Sequence, residues 1–167
     1  MLITQEYIEQ NQQLHASHNA YGANGHKKLA FFMERIKACQ PQTILDYGCG
    51  KATVEKALQS KYRVYNYDPA TGYNDRIPSD VVLCLDVLEH IEPDCLGDVL
   101  SDLRVLTQKA LFATIATRPA KKTLPDGRNA HLIVQEPIWW LNQLYAHFTV
   151  VQFFHDQSHQ EIFLEAV

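Results

Sequence analysis

The segment T-I-L-D-Y-G-C-G-K-A, residues 43–52, constrains the fold most, because it joins a buried-strand pattern to a carboxylate and two spaced glycines. Asp46 closes the strand pattern, and Gly48 and Gly50 follow. A turn that binds a dinucleotide pyrophosphate has glycines spaced G-x-G-x-x-G, whereas the third residue after Gly50 is Thr53. Glycine lets the backbone approach a ligand, and a carboxylate there attracts cations and repels phosphate. The segment predicts a turn for a positively charged ligand; a connecting turn with a surface Asp and no ligand is the alternative.

Two later segments also end in acidic residues. R-V-Y-N-Y-D, residues 63–68, is an aromatic and β-branched run that ends at Asp68, about twenty residues beyond the glycine turn, where nucleotide-binding folds place a carboxylate for a ribose diol. Asp68 is therefore the predicted ribose ligand, unless it only initiates the turn before Pro69. Residues 79–91, S-D-V-V-L-C-L-D-V-L-E-H-I, are an apolar run followed by acids and a histidine. Such a run is typical of a strand buried on both faces.

Together the three segments closely resemble class I S-adenosylmethionine-dependent methyltransferases, and D-V-L-E-H-I is a variant of the sequence that follows the fourth strand in many of them. The resemblance extends from about Ala30 to the C-terminus. It implies a Rossmann-like fold and S-adenosylmethionine as cofactor, with S-adenosylhomocysteine as product. The cofactor-binding residues that it implies are Asp46, Tyr47, Gly48, Cys49, Gly50, Asp68, Pro69, Asp86 and Val87.

The order of the apolar patterns predicts an α/β fold with a mostly parallel sheet, helices on both faces and a C-terminal antiparallel hairpin. Helices are expected over residues 25–39, 51–60 and 93–106 and from Pro137 onward, and later strands over 110–116, 149–155 and 161–166. Trp139 and Trp140 belong either to the core face of the last helix or to the wall of an acceptor pocket.

The connection between Asp68 and the next buried strand is unusually short. Only residues 69–79 are available, too few for the helix, strand and helix that the methyltransferase family has there. We therefore expect the third-strand region to be shortened to a loop or a short edge strand. This leaves Asp75 as only a weak candidate for the adenine-side acidic residue of many relatives.

Size and composition predict one globular domain. The chain has 167 residues, of which 46% are hydrophobic and 20% charged. Residues 25–167 are assigned to the methyltransferase domain, and residues 1–24 to an N-terminal segment that packs on or near the cofactor site. Within that segment, Tyr21 and Gly22 either fold over the cofactor or belong to a disordered tail.

The same features bear on location and partners. The polar N-terminal stretch predicts neither a signal peptide nor a membrane anchor, so we expect a cytoplasmic protein without a membrane partner. The four cysteines have no C-x-x-C spacing and are interpreted as small hydrophobic side chains rather than disulfides or a zinc site. The net charge of −4 and the pI near 6.0 make nucleic acid an unfavourable partner.

Candidate catalytic residues follow the fourth and fifth strands, where ligands bind in open α/β folds. His131 and His90 are the predicted catalytic residues. The loop over residues 117–130, long, basic and rich in turn residues, is the predicted mobile lid.

An acid-x-x-Glu-His cluster followed by a later His also resembles metal-dependent O-methyltransferases. That resemblance implies a divalent ion on Asp86, Glu89, His90 and His131, with Glu89, His90 and His131 as its tentative core. The alternative for Glu89 and His90 is that they cap the next helix or line the cofactor, as in metal-free methyltransferases. The other histidines form no set by spacing and are interpreted as surface or satisfied residues: His15, His18, His26, His147, His155 and His159.

The leading functional hypothesis is a methyltransferase that acts on oxygen of a small-molecule, carbohydrate-like or nucleotide-like acceptor. Two rivals remain open. One is a module that binds S-adenosylmethionine or a related nucleoside without transferring a methyl group. The other is a metal-dependent RNA-end 2′-O-methyltransferase, which the acidic pI disfavours.

Overall fold

Helices and strands alternate along the part of the chain that the structure, a computed structural model, describes, namely residues 1–18 and 21–167. Residues 19 and 20, within the predicted N-terminal segment, lie outside it. The helices are α1 (Gln5–Ser17), α2 (Gly25–Ala38), α3 (Thr53–Leu58), α4 (Leu96–Leu106) and α5 (Pro137–Tyr145). The strands are β1 (Thr43–Tyr47), β2 (Arg63–Asp68), β3 (Tyr73–Asn74), β4 (Ser79–Leu85), β5 (Thr107–Ala116), β6 (Val150–Asp156) and β7 (Glu161–Ala166). Short 3-10 turns cover Leu88–His90 and Pro93–Cys95.

All the strands join one sheet in the order β3-β2-β1-β4-β5-β7-β6. Strand β1 pairs in parallel with β2 and with β4, and β4 pairs in parallel with β5. Strand β7 pairs antiparallel with both β5 and β6. The predicted mostly parallel sheet with a C-terminal hairpin is confirmed. Because β1, β2, β4 and β5 are parallel, their carboxyl ends meet at one edge of the sheet, where the predicted site residues lie.

The shortened third-strand region is also confirmed. The connection from β2 to β4 contains only the two-residue strand β3, which pairs antiparallel with β2 through Tyr67 and Asn74. Asp75 follows this strand and is exposed. Its backbone N–H donates a hydrogen bond to the Asn66 carbonyl at 2.9 Å.

Alternate residues of the central strands enter two separate cores. In β4, Val82 and Cys84 face the core under α4 and α5, whereas Val81, Leu83 and Leu85 face the core under α2 and α3. Burial on both faces explains why this strand is continuously apolar. All four cysteines are free thiols and three are buried, as expected of small hydrophobic side chains.

The structure corrects one local prediction and decides one alternative that the sequence left open. The third helix begins at Thr53 rather than residue 51, because Ala52 has the left-handed backbone conformation (φ 51°) and cannot belong to a right-handed helix. Trp140 is fully buried in the core under α5, and Trp139 packs against that core, so these residues are not walls of the ligand cavity described below. Among the described helices, none combines the length and the apolar character that a bilayer-spanning helix needs.

Candidate functional site

A cavity of about 430 Å³ opens at the carboxyl edge of the parallel strands. Its floor is formed by the ends of β1, β2 and β4, and its roof by α1, the turn before α2 and the loop after β5. The residues predicted to bind the cofactor all lie in its wall: Asp46, Tyr47, Gly48, Cys49, Gly50, Asp68, Pro69, Asp86 and Val87. Glu89, His90 and His131 line it as well.

The glycine turn after β1 lines the cavity and also packs against two other parts of the chain, Gly22 and Val87. Gly48 and Gly50 have positive φ angles of 77° and 53°. A Cβ on Gly50 would stand 2.5 Å from the Gly22 carbonyl oxygen, and one on Gly48 would stand 2.4 Å from a methyl carbon of Val87. Lys51 N–H donates a hydrogen bond to the same Gly22 carbonyl at 2.9 Å. Both positions therefore favour glycine through their backbone conformation. Gly50 is also in close contact with residue 22, and Gly48 with the Val87 side chain.

Asp68, at the end of β2, stabilises the glycine turn by accepting a backbone hydrogen bond from it. One carboxylate oxygen accepts the Gly50 N–H at 2.9 Å, and the other accepts the N–H groups of Ala70 and Thr71 at 2.9 and 3.2 Å. The turn-initiating role considered for Asp68 is thus present. A carboxylate accepts about four hydrogen bonds, so one further position remains for a ligand hydroxyl.

Asp46 is buried beside the turn with one carboxylate oxygen, Oδ2, that has no hydrogen-bond partner in the described structure. Burial, with smaller contributions from the nearby charges of Asp68 and Glu55, raises the pKa of Asp46 to about 7. A buried carboxylate without a partner is costly to ionise. Its position in the cavity wall gives a cationic ligand group a favourable place to bind.

His90 and His131 lie next to each other in the cavity wall, with ring centroids 4.8 Å apart in an edge-to-face arrangement. Their Nδ1 atoms lie 2.7 Å from the Ala130 carbonyl and 2.6 Å from the Arg118 carbonyl, respectively. A carbonyl only accepts hydrogen bonds, so each Nδ1 must carry the proton, and each neutral ring keeps its lone pair on Nε2. Burial, followed by the neighbouring His131, lowers the pKa of His90 to about 4, and burial also lowers the pKa of His131.

Glu89 is fully buried next to the histidine pair. Its Oε1 accepts the Ala116 N–H at 2.9 Å, whereas Oε2 has no partner among the described residues. Burial, and then the charge of Asp86, raises the pKa of Glu89 well above its usual value. Within the described chain, Glu89, His90 and His131 form a group in which one ligand atom from each residue lies within 4.8 Å of the others.

Asp86 is separate from that group, although sequence resemblance implied it as a fourth ligand. It adopts a left-handed conformation (φ 57°) just after β4. Its carboxylate accepts the Thr114 hydroxyl at 2.8 Å and lies 3.9 Å from the Lys28 ammonium, which also pairs with Glu161. These contacts direct the Asp86 side chain toward α2 and β7.

Residues 1–24 were expected to pack on or near the cofactor site, but neither the helix α1 nor the side chains that it contributes were predicted, and His15 was interpreted as a surface or satisfied residue. Tyr7, Asn11 and His15 are spaced by four residues, so they share one face of α1, and all three line the cavity. The Tyr7 hydroxyl donates to the His90 carbonyl at 2.5 Å, and His15 packs edge-to-face on Tyr21 at 4.7 Å. The four-residue spacing was a readable signal, although the polar composition of this stretch obscured it.

A network of hydrogen bonds anchors α1 to the sheet edge. Thr4 caps the helix by accepting the Tyr7 N–H, and its own N–H and hydroxyl donate to the two carboxylate oxygens of Glu92 at 2.9 and 2.8 Å. Such a cap contributes roughly 1 kcal/mol. The helix is therefore held over the cavity from its first turn.

The loop over residues 117–130 completes the roof. Asn129 connects the two ends of the loop. Its side-chain amide accepts the Ala120 N–H and donates to the Ala120 carbonyl, and it also accepts the His131 N–H, each at 2.9 Å. Leu124 and Ala130 are buried against Tyr7 and Leu14 of α1. The loop and α1 thus form one packed unit; that this loop is a mobile lid stays a prediction.

The comparisons with known proteins support the fold of this chain and no more specific assignment. No family model and no curated protein matches the chain. Among solved structures, Burkholderia thailandensis 1,6-didemethyltoxoflavin-N1-methyltransferase, with S-adenosylhomocysteine bound, has a TM-score of 0.66 and 16% identity, covering 95% of this chain and 86% of that one. The complex of DhpI with SAH has a TM-score of 0.61, 13% identity and 98% coverage of both chains. Synechocystis magnesium protoporphyrin IX methyltransferase, with bound SAH, has a TM-score of 0.59 and 17% identity, covering 95% and 83%.

Proposed function

Because the chain has the fold of class I methyltransferases, we propose that it transfers a methyl group from S-adenosylmethionine to an oxygen atom of a small-molecule acceptor. One observation carries the proposal. A single cavity joins the acid-first glycine turn to two histidines whose Nε2 atoms hold the lone pair. Two of the three similar structures are named as methyltransferases, and bound S-adenosylhomocysteine in all three supports the choice of cofactor.

The residues at the floor of the cavity fit this cofactor. The volume of about 430 Å³ lies in the range of small-ligand pockets. The unpartnered Oδ2 of Asp46 suits an ammonium group, and the remaining acceptor position of Asp68 suits a ribose hydroxyl. S-adenosylmethionine supplies a methyl group on a cationic sulfur, and Asp68 of the floor, together with Asp46 once it is ionised, favours that charge.

The histidine pair supplies what transfer to a hydroxyl oxygen needs. An acceptor hydroxyl must lose its proton as its oxygen bonds to the methyl carbon and the carbon–sulfur bond breaks toward sulfur. His131 or His90 accepts that proton at Nε2. Both rings are neutral at pH 7 because burial lowers their pKa values. The cavity walls align the reacting atoms and limit their contact with water.

A metal-assisted form of the same reaction is the second candidate, and the unpartnered Oε2 of Glu89 favours it. Two ligands that each lie about 2.0–2.2 Å from one divalent ion are at most about 4.4 Å apart. The spread of 4.8 Å among the donor atoms of Glu89, His90 and His131 needs only a small contraction to reach that geometry. An ion held there would lower the pKa of an acceptor hydroxyl.

Calorimetry with S-adenosylmethionine and S-adenosylhomocysteine, followed by transfer of a labelled methyl group to a panel of hydroxylated acceptors, tests the proposal. Asp68→Ala is expected to weaken cofactor binding by about 1.5–3 kcal/mol, because it removes a charged hydrogen-bond acceptor. Asp75→Ala is the matched control, since Asp75 is exposed and outside the cavity wall. No binding by the wild type removes the proposal, and binding without turnover on any acceptor favours the non-catalytic module.

Cofactor affinity is expected to depend on pH through Asp46. Its raised pKa of about 7 means that the carboxyl is largely protonated below neutrality, so binding of an ammonium group must first remove that proton. Affinity for S-adenosylhomocysteine should therefore fall roughly tenfold per pH unit below pH 6. Asp46→Asn should bind weakly and lose this slope, whereas Asp75→Asn should keep it. An affinity that stays flat between pH 5 and pH 7 in the wild type argues against contact with Asp46.

A further inference from the structure

The roof of the cavity carries positive charge that no acidic residue neutralises. Arg118, Lys121 and Lys122 follow β5 and line the cavity, and within the described residues none of them forms an ion pair. Arg128 of the same loop lies outside the cavity wall and is paired with Asp126 at 2.6 Å. Arg118 and Lys121 are exposed to solvent at the cavity mouth, whereas Lys122 is half-buried.

The opposite side of the cavity is acidic. Asp46 and Asp68 are buried at the ends of β1 and β2, which form the floor. Acidic side chains thus lie below and basic side chains above. A cationic methyl donor belongs at the floor, and the roof is left suited to an anion.

Lys122 is the best-positioned of the three cations. It is half-buried, and its ammonium lies 5.0 Å from the centroid of the Tyr21 ring. That ring contacts the His90 ring edge-to-face at 6.0 Å, so Lys122 is held near the histidine pair. The Lys122 carbonyl accepts the Ala130 N–H at 3.0 Å, and residues 123 and 129 form a β-bridge beside it. A partly desolvated and preorganised ammonium binds an anion better than a mobile surface lysine does.

We propose that the methyl acceptor carries an anionic group, a carboxylate or a phosphate, and that Lys122 together with Arg118 binds it while the acceptor hydroxyl faces the histidine pair. The inference rests on the proposed function, because it places the methyl donor on the acidic floor. It names the chemical class of acceptor, which the fold leaves open.

Calorimetry on the complex with S-adenosylhomocysteine tests the inference with three matched phenols: 4-hydroxybenzoate, 4-hydroxyphenyl phosphate and the neutral 4-hydroxybenzamide. At least one anion is expected to bind about tenfold more tightly than the amide, with a preference that weakens as salt increases. Whichever anion shows the preference identifies the carboxylate or the phosphate. Lys122→Gln should remove the preference, whereas Lys122→Arg and the control Arg128→Gln should keep it. Absence of binding by both anions, or an undiminished preference in Lys122→Gln, overturns the inference.

A second arm separates the acceptor from the carboxylate of the cofactor itself. 5′-Methylthioadenosine lacks the amino-acid part of S-adenosylhomocysteine, so it reports binding without that carboxylate. Lys122→Gln should leave the affinities for both nucleosides unchanged. Weaker binding of S-adenosylhomocysteine alone assigns Lys122 to the cofactor and overturns the inference. Failure of the wild type to bind S-adenosylhomocysteine removes the proposed function itself, whereas binding without any preference for anions removes only this inference.

Discussion

Gly50→Ala is expected to weaken binding of S-adenosylhomocysteine by at least about 100-fold, the combined effect of a strained backbone and a displaced turn. The left-handed conformation of Gly50 costs an alanine roughly 1–2 kcal/mol. The new methyl group would also stand 2.5 Å from the Gly22 carbonyl oxygen, which is rigid backbone. Either the glycine turn or the segment before α2 must move, and both line the cavity. Calorimetry measures the loss, and circular dichroism checks that the variant is folded.

Gly72→Ala is the matched control for this prediction. Gly72 also has a positive φ, 86°, but a Cβ there would have nothing within 4 Å. This variant carries the backbone strain without the collision and lies outside the cavity wall, so its cofactor affinity should stay near that of the wild type. Near-wild-type affinity in Gly50→Ala would contradict the tight packing of the turn against Gly22.

His131→Ala is expected to lower turnover on a competent acceptor by about 10²–10⁴-fold while changing cofactor affinity much less. His131 lines the cavity, and its Nδ1 is committed to the Arg118 carbonyl, which leaves the Nε2 lone pair to accept a proton. His26→Ala is the control, because this histidine is exposed on α2. Full activity of His131→Ala and His90→Ala would remove the catalytic role of both residues and return them to packing.

The same variants distinguish a proton acceptor from a metal ligand. If His131 acts only as a base, chelation leaves the rate unchanged, and turnover rises with pH to a plateau with a midpoint below the usual histidine pKa, because burial lowers the pKa of this ring. If a divalent ion is required, chelation abolishes activity and added ion restores it. Glu89→Gln should then be as damaging as His131→Ala, since Glu89 belongs to the same group.

Local signals in the sequence were enough to predict the sheet. Residues 79–85 are apolar without interruption because helices cover both faces of β4, and the strand β5 is apolar for the same reason. The hairpin of β6 and β7 follows from two strand patterns separated by a polar turn. Strand order and the exact start of α3 were harder, because Ala52 gives no sign in its residue type that its φ is positive.

The candidate site was predictable only where strands end. The acids and glycines after β1, β2 and β4 occupy one sheet edge because parallel topology brings those ends together. An N-terminal segment near the site was expected, but the side chains of α1 were not predicted, since the place of this helix over the cavity depends on contacts such as Thr4 with Glu92, which lie 88 residues apart in sequence. The packing of Gly50 on Gly22 is long-range in the same way, and it changes the reason why glycine is needed there.

The position of β7 has a consequence for how the polypeptide is assembled. This strand is placed between β5 and β6, although it is synthesised after both. Until residues 161–166 leave the ribosome, β6 has no neighbour and β5 lacks one of its two, so the exposed strand edges are open to misassociation. Completion of the sheet therefore waits for β7 to insert, which makes the synthesis of residues 161–166 the step that commits this sheet to its native topology.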